Sequence, residues 1–347
     1  MKRLLLLGAG PAHLHLLRAL AGEALPGTEV ALVAPGPHAV CPGMLAGHVA
    51  GELTLDQCSV ALVPLAERAG VRLLQAAATG IDSAARSVAL ADGRTLPYDA
   101  LSLDLAATME RDAIAGAREH GLFLRPAEAF APLWLRMLDL AESRPMCVVV
   151  VGADVAGVEM ALALQQRLGE RSRVSLVSGG ALLPGRAEAL RQRVLRALRR
   201  ARITLLEDEC VEITARHVVL GRGTRVACDA ALMALPERAP PWLGASGLAL
   251  DEQGFVATGA TLQSRSHPEV FAAGTDARAA AALALNLRRF LAGGALLLSA
   301  PAARRLELIG SGERRAIAAW GGWALEGRWA WRCKRRRERA FVDAHRA

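Results

Sequence analysis

The chain has 347 residues, of which 52% are hydrophobic and 22% are charged, and it carries a formal net charge of +8. One core rarely serves a chain of this length, so we expect two domains of roughly 100–200 residues each. The composition excludes a disordered protein, and no run reaches the ~18 apolar residues of a membrane span.

The N-terminal apolar run, residues 4–7, is typical of a buried first strand. It breaks at the Gly8-Ala9-Gly10 turn, whereas a secretory leader needs about 7–15 apolar residues before a small-residue cleavage site. Residues 13–20 follow with a helical pattern. A strand, a glycine turn and a helix in this order are the setting in which a G-x-G motif indicates a dinucleotide site.

The first glycine motif is incomplete. In the full fingerprint the first glycine allows a tight turn, the second lets the backbone approach a pyrophosphate, and the third lets helix and strand pack closely. Gly8 and Gly10 supply the first two, but His13 stands at the third position, and Ala34-Pro35 replaces the acid that would bind a ribose. The motif favours a dinucleotide site; the alternative is a glycine turn that serves only a parallel sheet.

The sequence repeats its own plan. After a predicted helix at 56–69 and a hairpin turn at Asp92-Gly93, a second strand–turn–helix unit covers residues 147–168, with a strand at 173–177 and a basic helix at 188–200. Five hairpin residues recur 130 positions later: Val88, Leu90, Gly93, Asp99 and Ala100 match Val218, Leu220, Gly223, Asp229 and Ala230. This pattern indicates an internal duplication of nucleotide-binding halves.

The second glycine motif keeps Gly152 and Gly157 but has Asp154 in the middle position. A carboxylate about 4 Å from a pyrophosphate charge is repelled by about 1 kcal/mol in bulk water and by about 4 kcal/mol at an effective dielectric of 20. Ser178 stands where an acid would bind a ribose. A working NAD(P)H site and a turn kept only for the fold therefore both stay open.

A third segment, residues 267–276, leads from a strand pattern into Gly274-Thr275-Asp276, and residues 277–291 are strongly helical. Asp276 is either the N-cap of that helix or part of a site for a phosphate-bearing group. Residue chemistry alone leaves both open.

The cysteines and histidines predict no metal site. The six cysteines have neither C-x-x-C nor zinc spacing, and His13 and His15 have no carboxylate one turn away. Cys41 lies on a loop and is expected to be an inert thiol, because nothing near it in the sequence lowers its pKa. Reduced thiols favour a cytoplasmic protein.

The C-terminal tail is strongly basic. Between residues 328 and 346, eight basic residues stand against Glu338 and Asp343, which gives this tail +6 of the net charge. Four tryptophans accompany the run: Trp320, Trp323, Trp329 and Trp331. Tryptophan beside cations fits an anionic membrane surface; a packed subdomain and an RNA-binding patch are alternatives, with nucleic acid the least favoured partner. Poor apolar periodicity after Trp331 counts against a clean amphipathic helix.

These motifs resemble those of the FAD-dependent pyridine nucleotide-disulfide oxidoreductases, in the branch related to type II NADH dehydrogenases. The resemblance rests on Gly8-Ala9-Gly10, on residues 152–159 and on residues 270–274. A narrower resemblance, to the flavoprotein module sometimes fused ahead of selenide, water dikinase, rests on four further stretches and covers nearly the whole chain. They are Gly10-Pro11-Ala12-His13-Leu14-His15, Pro42-Gly43-Met44-Leu45-Ala46-Gly47, Ser102-Leu103-Asp104 and Glu326-Gly327-Arg328-Trp329.

The resemblance implies an α/β fold with two Rossmann-like dinucleotide-binding domains, in which the FAD-binding domain is discontinuous and an NAD(P)-type domain is inserted into it. The implied boundaries are 1–115 and 239–297 for the FAD domain, 116–238 for the NAD(P)-type domain, and 298–347 for a small Trp- and Arg-rich C-terminal region. The residues assigned to cofactor binding are Gly8, Gly10, Pro11, Ala12, His13, Pro42, Gly43, Met44, Thr108, Gly274 and Asp276 for FAD, and Gly152 and Gly157 for NAD(P)H.

The sequence departs from the family pattern in ways that bear on activity. A C-x-x-x-x-C pair is absent, so dithiol reduction is not expected, and the acid of the second FAD stretch, Asp276, stands one place late. Asp154 interrupts the second pyrophosphate loop. No catalytic residue is assigned.

Three readings follow. The favoured one is an enzyme that passes electrons from NAD(P)H through FAD to an acceptor such as a quinone. The second is a diverged flavoprotein that binds FAD but has lost NAD(P)H binding, and the third is a membrane or nucleic-acid adaptor that acts through the basic tail. We expect a cytoplasmic protein, with a peripheral position on the inner face of the membrane as an alternative.

Overall fold

The computed structural model describes residues 1–273, 277–299 and 306–346. These residues form nine helices and 23 strands, with short 3₁₀ turns between them. The helices are α1 (Pro11–Gly22), α2 (Leu45–Val49), α3 (Leu62–Arg68), α4 (Ala117–His120), α5 (Ala127–Ser143), α6 (Val155–Leu168), α7 (Glu188–Arg200), α8 (Ala277–Ala292) and α9 (Arg328–His345). The strands are β1 (Lys2–Leu7), β2 (Thr28–Ala34), β3 (His38–Val40), β4 (Ser59–Ala61), β5 (Arg72–Gln75), β6 (Ala78–Asp82), β7 (Ser87–Leu90), β8 (Thr95–Pro97), β9 (Ala100–Leu103), β10 (Thr108–Met109), β11 (Gly121–Phe123), β12 (Cys147–Val151), β13 (Arg173–Val177), β14 (Thr204–Leu206), β15 (Cys210–Ile213), β16 (His217–Leu220), β17 (Arg225–Ala227), β18 (Ala230–Met233), β19 (Glu237–Arg238), β20 (Val270–Ala272), β21 (Glu307–Gly312), β22 (Arg315–Trp320) and β23 (Trp323–Gly327).

The first sheet is parallel, with the strand order β20-β9-β1-β2-β5. Its central strand β1 is buried from Leu4 to Leu7, because a parallel strand covered on both faces must be apolar on both. Leu7 pairs with Val33 on one side and with Leu103 on the other. Strand β20 joins this sheet from far along the chain, so the sheet is discontinuous in sequence.

The second sheet is also parallel and has the order β11-β18-β12-β13-β14. Its strands come from one continuous stretch, between β11 and β18. The predicted fold class is therefore confirmed: α/β, with two Rossmann-like units, the first interrupted by the second. The residue boundaries proposed for the four segments stay predictions.

The two units match in detail. Each carries a three-stranded antiparallel hairpin unit, β6-β7-β8 in the first and β15-β16-β17 in the second. The carboxylate of Asp99 accepts a hydrogen bond from the backbone N–H of Arg3 at 2.7 Å. Asp229, which lies 130 residues later, accepts one from the N–H of Cys147 at 2.8 Å. These equivalent contacts support the predicted duplication.

The predicted helix at 56–69 is wrong over its first half. Residues Asp56–Cys58 form a 3₁₀ turn, and β4 follows and pairs with β3, with Val60 opposite Ala39. Only α3 is helical. Helical periodicity could not reveal this pairing, because the partner strand lies about 20 residues away.

The C-terminal region contains an antiparallel sheet, β21-β22-β23, followed by α9. The tail does form a helix, α9, but its buried face is partly charged, in keeping with the poor apolar periodicity of the sequence after Trp331. The buried stripe of α9 includes Ala330, Lys334, Val342 and His345, so it has helical spacing, but charged residues stand at positions where an apolar pattern was sought. Of the described residues, no helix is long and apolar enough to cross a bilayer.

Candidate functional site

The turn between β1 and α1 packs against the end of β9. Gly8 has a φ of +87°, a conformation that favours glycine. A β-carbon at Gly8 would overlap the carbonyl oxygen of Asp104, and one at Gly10 would overlap the carboxyl group of Asp104. Both glycines of the motif are therefore required by a contact within the chain itself.

The carboxyl group of Asp104 caps α1. Its Oδ2 accepts hydrogen bonds from the backbone N–H groups of Ala12, at 2.7 Å, and of His13, at 3.0 Å. Pro11 has no N–H to offer, and the N–H of Gly10 donates to the carbonyl oxygen of Asp104 at 3.2 Å. The donors that a helix N-terminus presents to an anion thus already have an acceptor.

Burial raises the pKa of Asp104 to about 7, although the N–H donors of His13 and Ala12 act to lower it. Asp104 is 5% exposed, and the structure gives it no salt bridge within the described residues. Near neutral pH this carboxyl group is therefore divided between its charged and neutral forms.

His13 fills the position of the missing third glycine and is fully buried. Its Nδ1 lies 2.6 Å from the carbonyl oxygen of Gly8, and its Nε2 lies 2.8 Å from Oγ of Ser102. Burial lowers the pKa of His13 to about 4, so the ring is neutral at pH 7. Since a carbonyl oxygen can only accept, Nδ1 carries the proton and Nε2 accepts from the hydroxyl of Ser102.

The Pro42–Met44 segment forms a 3₁₀ turn just before α2. Gly43 is exposed with open space around it, while Met44 is buried in a small cluster that includes Cys58 and Val342. Burial raises the pKa of Cys58 to about 12, and that of the neighbouring Cys41 likewise to about 12. The thiols beside this turn therefore stay protonated.

Within the described residues, Thr108 makes no hydrogen bond to α1. The hydroxyl of Thr108 donates to the carbonyl oxygens of Arg238, at 3.2 Å, and Ala239, at 3.3 Å, and so ties the two crossing segments together. Gly274 and Asp276 lie outside the described residues.

The second unit repeats the glycine turn, but here the acidic residue, Asp154, stands within the turn itself. A β-carbon at Gly152 would overlap the carbonyl oxygen of Ala234, and one at Gly157 would lie 2.6 Å from the carbonyl oxygen of Gly152. Asp154 is exposed and precedes α6 without a capping bond from its own side chain. Among the described residues, no side chain accepts a hydrogen bond from the first-turn amides of α6, in contrast to α1.

The two turns thus carry their acidic residue at different positions. The first has Gly10 in the turn and Asp104 at the end of the neighbouring strand, whereas the second has Asp154 in the turn and Ala234 at the strand end. Each turn therefore has one acidic residue of the chain near the start of its helix. In the first unit its carboxyl group is buried and hydrogen-bonded, and in the second it is exposed to water.

A buried ionic cluster joins α9 to α6 and to Glu52, in the segment that follows α2. The ammonium group of Lys334 lies 3.2 Å from Glu159 and 3.0 Å from Glu338. The guanidinium group of Arg335 lies 2.7 Å from Glu52, which also accepts from the indole N–H of Trp331 at 2.8 Å. Two of the eight basic residues of the tail are therefore turned inward, and the cluster holds α9 against both nucleotide-binding units.

Comparison with known proteins decides the family. Residues 2–288 match the family described as pyridine nucleotide-disulphide oxidoreductase. The chain belongs to this family. It is accordingly an FAD-dependent oxidoreductase of a family that uses NAD(P)H, as the motifs implied.

Several individual proteins are similar to this pyridine nucleotide-disulphide oxidoreductase. It is 27% identical over 289 residues to the demethylphylloquinone reductase NdbB of Synechocystis sp. The aligned region covers 79% of this chain and 72% of that protein. The sulfide:quinone oxidoreductase of Aquifex aeolicus superposes with a TM-score of 0.83 at 17% identity, covering 100% of this chain and 92% of that one. NDH2 of Plasmodium falciparum, solved with NADH, gives 0.80 at 12% identity, covering 99% and 97%. At these identities the two structures show a shared fold.

The described residues at the start of α1 do not fit the FAD diphosphate as they stand. In this family fold, the backbone N–H groups at the first helix N-terminus are the expected diphosphate donors. Here the N–H groups of Ala12 and His13 are satisfied by Asp104, whose carboxylate has the same sign of charge as a phosphate. The family fold is kept, and the obstacle to the diphosphate is one carboxyl group of the chain itself.

Sequence reasoning missed the role of Asp104, although Ser102-Leu103-Asp104 contributed to the resemblance. One signal was available: an acid directly follows β9, and Asp99 and Ala100 at the start of β9 match Asp229 and Ala230 of the repeat. At the offset of 130 the duplicate has Ala234 instead of an acid. A carboxyl group at the end of a central parallel strand lies at the edge of the sheet where ligands bind.

Proposed function

We propose that this FAD-dependent oxidoreductase oxidises NAD(P)H and reduces a quinone at the surface of an anionic membrane. The quinone is supported by the similarity to NdbB, a demethylphylloquinone reductase, over 79% of this chain and 72% of that protein. A sulfide:quinone oxidoreductase shares the fold over the whole chain. The named acceptor of those proteins supports the class of acceptor here, not one particular quinone.

The start of α6 supports the proposal that the protein binds a nicotinamide nucleotide. Its turn keeps Gly152 and Gly157, and the helix presents first-turn amides without a recorded side-chain acceptor in the described part of the structure. Such an N-terminus attracts phosphate groups. Asp154 opposes this attraction, but its carboxylate is exposed, so water screens the repulsion.

An exposed apolar face on the C-terminal sheet supports the proposal that the protein binds a membrane surface. Trp320 and Trp323 are cross-strand partners at the end of the β22–β23 hairpin, and they are 52% and 75% exposed. Leu325 lies on the same side of β23 as Trp323, because side chains alternate along a strand, and it is 54% exposed. The ring of Trp329, 49% exposed, folds back over Gly327 on this side.

The outer face of α9 continues this surface with positive charge. Arg332, Arg336 and Arg339 are exposed and follow Trp329 at helical spacing. Exposed tryptophan next to arginine matches the headgroup region of a bilayer, where rings lie at the interface and cations meet anionic lipids. A peripheral position on the inner face of the membrane is part of this proposal.

The function is tested with the purified protein and a short-chain soluble quinone under anaerobic conditions. We expect the protein to copurify with flavin absorbance, NADH or NADPH to bleach that absorbance, and the quinone to restore it. A flavin that neither nucleotide reduces would contradict the nucleotide assignment. A flavin that is reduced but not reoxidised by quinones would contradict the acceptor.

A further inference from the structure

Asp104 lies at the topological switch point of the first sheet. Strand β1 connects through α1 to β2 on one side, while β9 lies on its other side. Leu7 and Leu103, the last residues of β1 and β9, are paired in register, so Gly8 and Asp104 leave the sheet side by side. The crevice outside such a point is where open α/β sheets bind nucleotides.

The carboxyl group of Asp104 already accepts the hydrogen bonds that the start of α1 would give to a bound anion. Its carboxyl oxygen accepts from two consecutive backbone N–H groups at 2.7 and 3.0 Å, which is the arrangement a helix N-terminus offers to a phosphate. The second unit provides the internal comparison, because Ala234 stands at the equivalent position and, among the described residues, no side chain bonds to the first-turn amides of α6.

We infer that the Asp104 carboxylate and the FAD diphosphate compete for the amides of Ala12 and His13, so that FAD binds together with a proton taken up by Asp104. This inference rests on FAD being the cofactor, as the family implies. The step is an acid–base equilibrium in which one solvent proton adds to a carboxyl oxygen. The neutral carboxyl group no longer repels the diphosphate and holds the two amides less strongly.

The surroundings of Asp104 favour this coupling. From α1 it faces the backbone and His13, whose imidazole is neutral, and from β9 it is near Ser102, which is hydrogen-bonded to that imidazole. No salt bridge to Asp104 is found within the described ranges, so no fixed cation holds it ionised. Burial, only partly offset by the N–H donors of His13 and Ala12, raises the pKa of Asp104 to about 7, inside the range of an ordinary binding experiment.

The experiment is FAD binding to the apoprotein between pH 6 and 8.5, followed by quenching of FAD fluorescence. Because one proton is bound along with FAD, Kd should be flat up to about pH 7 and then rise roughly tenfold per pH unit, about thirtyfold by pH 8.5. Asp104→Asn keeps an acceptor oxygen without the charge, so its Kd should not change with pH and at pH 8.5 should be lower than that of the wild type. Asp99→Asn, at the opposite end of β9, is the matched control and should keep the wild-type slope.

A wild-type Kd that does not vary with pH, or an Asp104→Asn slope equal to the wild type, overturns the inference while leaving the cofactor in place. If neither protein binds FAD even at pH 6, the inference and the cofactor assignment fall together. If both bind as expected but NAD(P)H does not reduce the flavin, only the proposed function fails. Should Asp104→Asn not fold, proton uptake measured with a pH indicator dye decides: wild type at pH 8 should take up about one proton per FAD, and no uptake overturns the inference.

Discussion

The carboxyl group of Asp104 occupies the space that a β-carbon at Gly10 would take. The second glycine of a dinucleotide fingerprint is usually explained by the approach of a pyrophosphate to bare backbone. In this protein the same absence of a side chain is required by a contact within the chain. The glycine motif is therefore sound evidence for the fold and weaker evidence for the ligand.

Gly10→Ala should destabilise the protein through this contact. The backbone at Gly10 has a φ of −69°, which alanine adopts freely, so the cost comes from overlap with Asp104 and should be about 1–3 kcal/mol, as for overpacked cores. Urea unfolding measures it. Adding Asp104→Ala should recover most of the loss, because the overlapping group is removed.

The matched control is Gly22→Ala at the end of α1, where an added β-carbon meets nothing within 4 Å. That change should leave stability unchanged or slightly raise it. If Gly10→Ala lowers the free energy of unfolding as much in the Asp104→Ala background as in the wild type, a neighbour other than Asp104 is what requires glycine at position 10.

The pH dependence of stability should carry the sign of a carboxyl group whose pKa is raised on folding. The folded pKa of Asp104 is about 7, against about 3.9 in an unfolded chain. Between these values the folded state binds the extra proton, so this group lowers stability as the pH rises from about 4 to 7. The stability of Asp104→Asn relative to the wild type should therefore increase by about 1.4 kcal/mol per pH unit in that window and level off above it.

Comparing the variant with the wild type at each pH also cancels the opposite contribution of His13. The folded pKa of His13 is lowered to about 4, so stability from this ring is lost as the pH falls below about 6.5. Urea unfolding at four pH values between 4.5 and 7.5 is sufficient. A constant difference between the two proteins would mean that Asp104 titrates alike in the folded and unfolded states.

The fold was largely predictable because its signals are local. The apolar run of β12 and the pattern of β13 predict the bounds of both strands correctly, since strands covered on both faces of a parallel sheet are mostly apolar. The site was less predictable because its contacts are not local. Asp104 meets Ala12 across 92 positions, and no periodicity within β9 or α1 reports that meeting.

The tail shows the same limit. Lys334 stands on the buried stripe of α9, and its partner Glu159 comes from α6. A hydrophobicity pattern counts such a position as polar and exposed. Only the folded structure brings in the carboxylate that makes burial of an ammonium group tolerable, so the helix was missed and the free charge of the tail was overestimated.

Arg335→Met should destabilise the protein by about 3–5 kcal/mol, because it leaves the carboxylate of Glu52 buried without its cation. Arg335 and Glu52 have side chains 14% and 11% exposed. Arg336→Met, at the next position on the exposed face of α9, is the matched control and should change the free energy of unfolding by less than about 0.5 kcal/mol. Glu52→Gln added to Arg335→Met should restore part of the loss; a double variant as unstable as the sum of the single ones would rule out this pair as the cause.

Asp154→Gly should tighten NAD(P)H binding, but only modestly. The carboxylate is exposed, so the repulsion of about 1 kcal/mol expected in water applies, which corresponds to about fivefold in Kd. Stopped-flow reduction at several nucleotide concentrations gives that constant. Glu170→Gln removes an exposed acid beyond the other end of α6 and should have no effect. A gain of several hundredfold would instead show that the site closes and excludes water when the nucleotide binds.

Replacing Trp320 and Trp323 together by alanine should release the protein from anionic vesicles without unfolding it. The rings are 52% and 75% exposed, so they contribute little to the core. Burying even half of one ring of about 200 Å² in the interface is worth more than 1.4 kcal/mol, and the pair should weaken binding at least about tenfold. Sedimentation with vesicles of phosphatidylglycerol and phosphatidylcholine measures the effect.

Leu135→Ala on α5 is the control, because Leu135 is as exposed as Trp320, at 52%, but lies on another element. It should bind vesicles like the wild type. Arg336→Gln should weaken binding mainly at low salt, since its charge acts through the surface potential, whereas the tryptophan effect should persist at high salt. Vesicle binding that is unaltered in the double tryptophan variant, or binding of RNA that both sets of changes abolish, would assign this face to a partner other than a membrane.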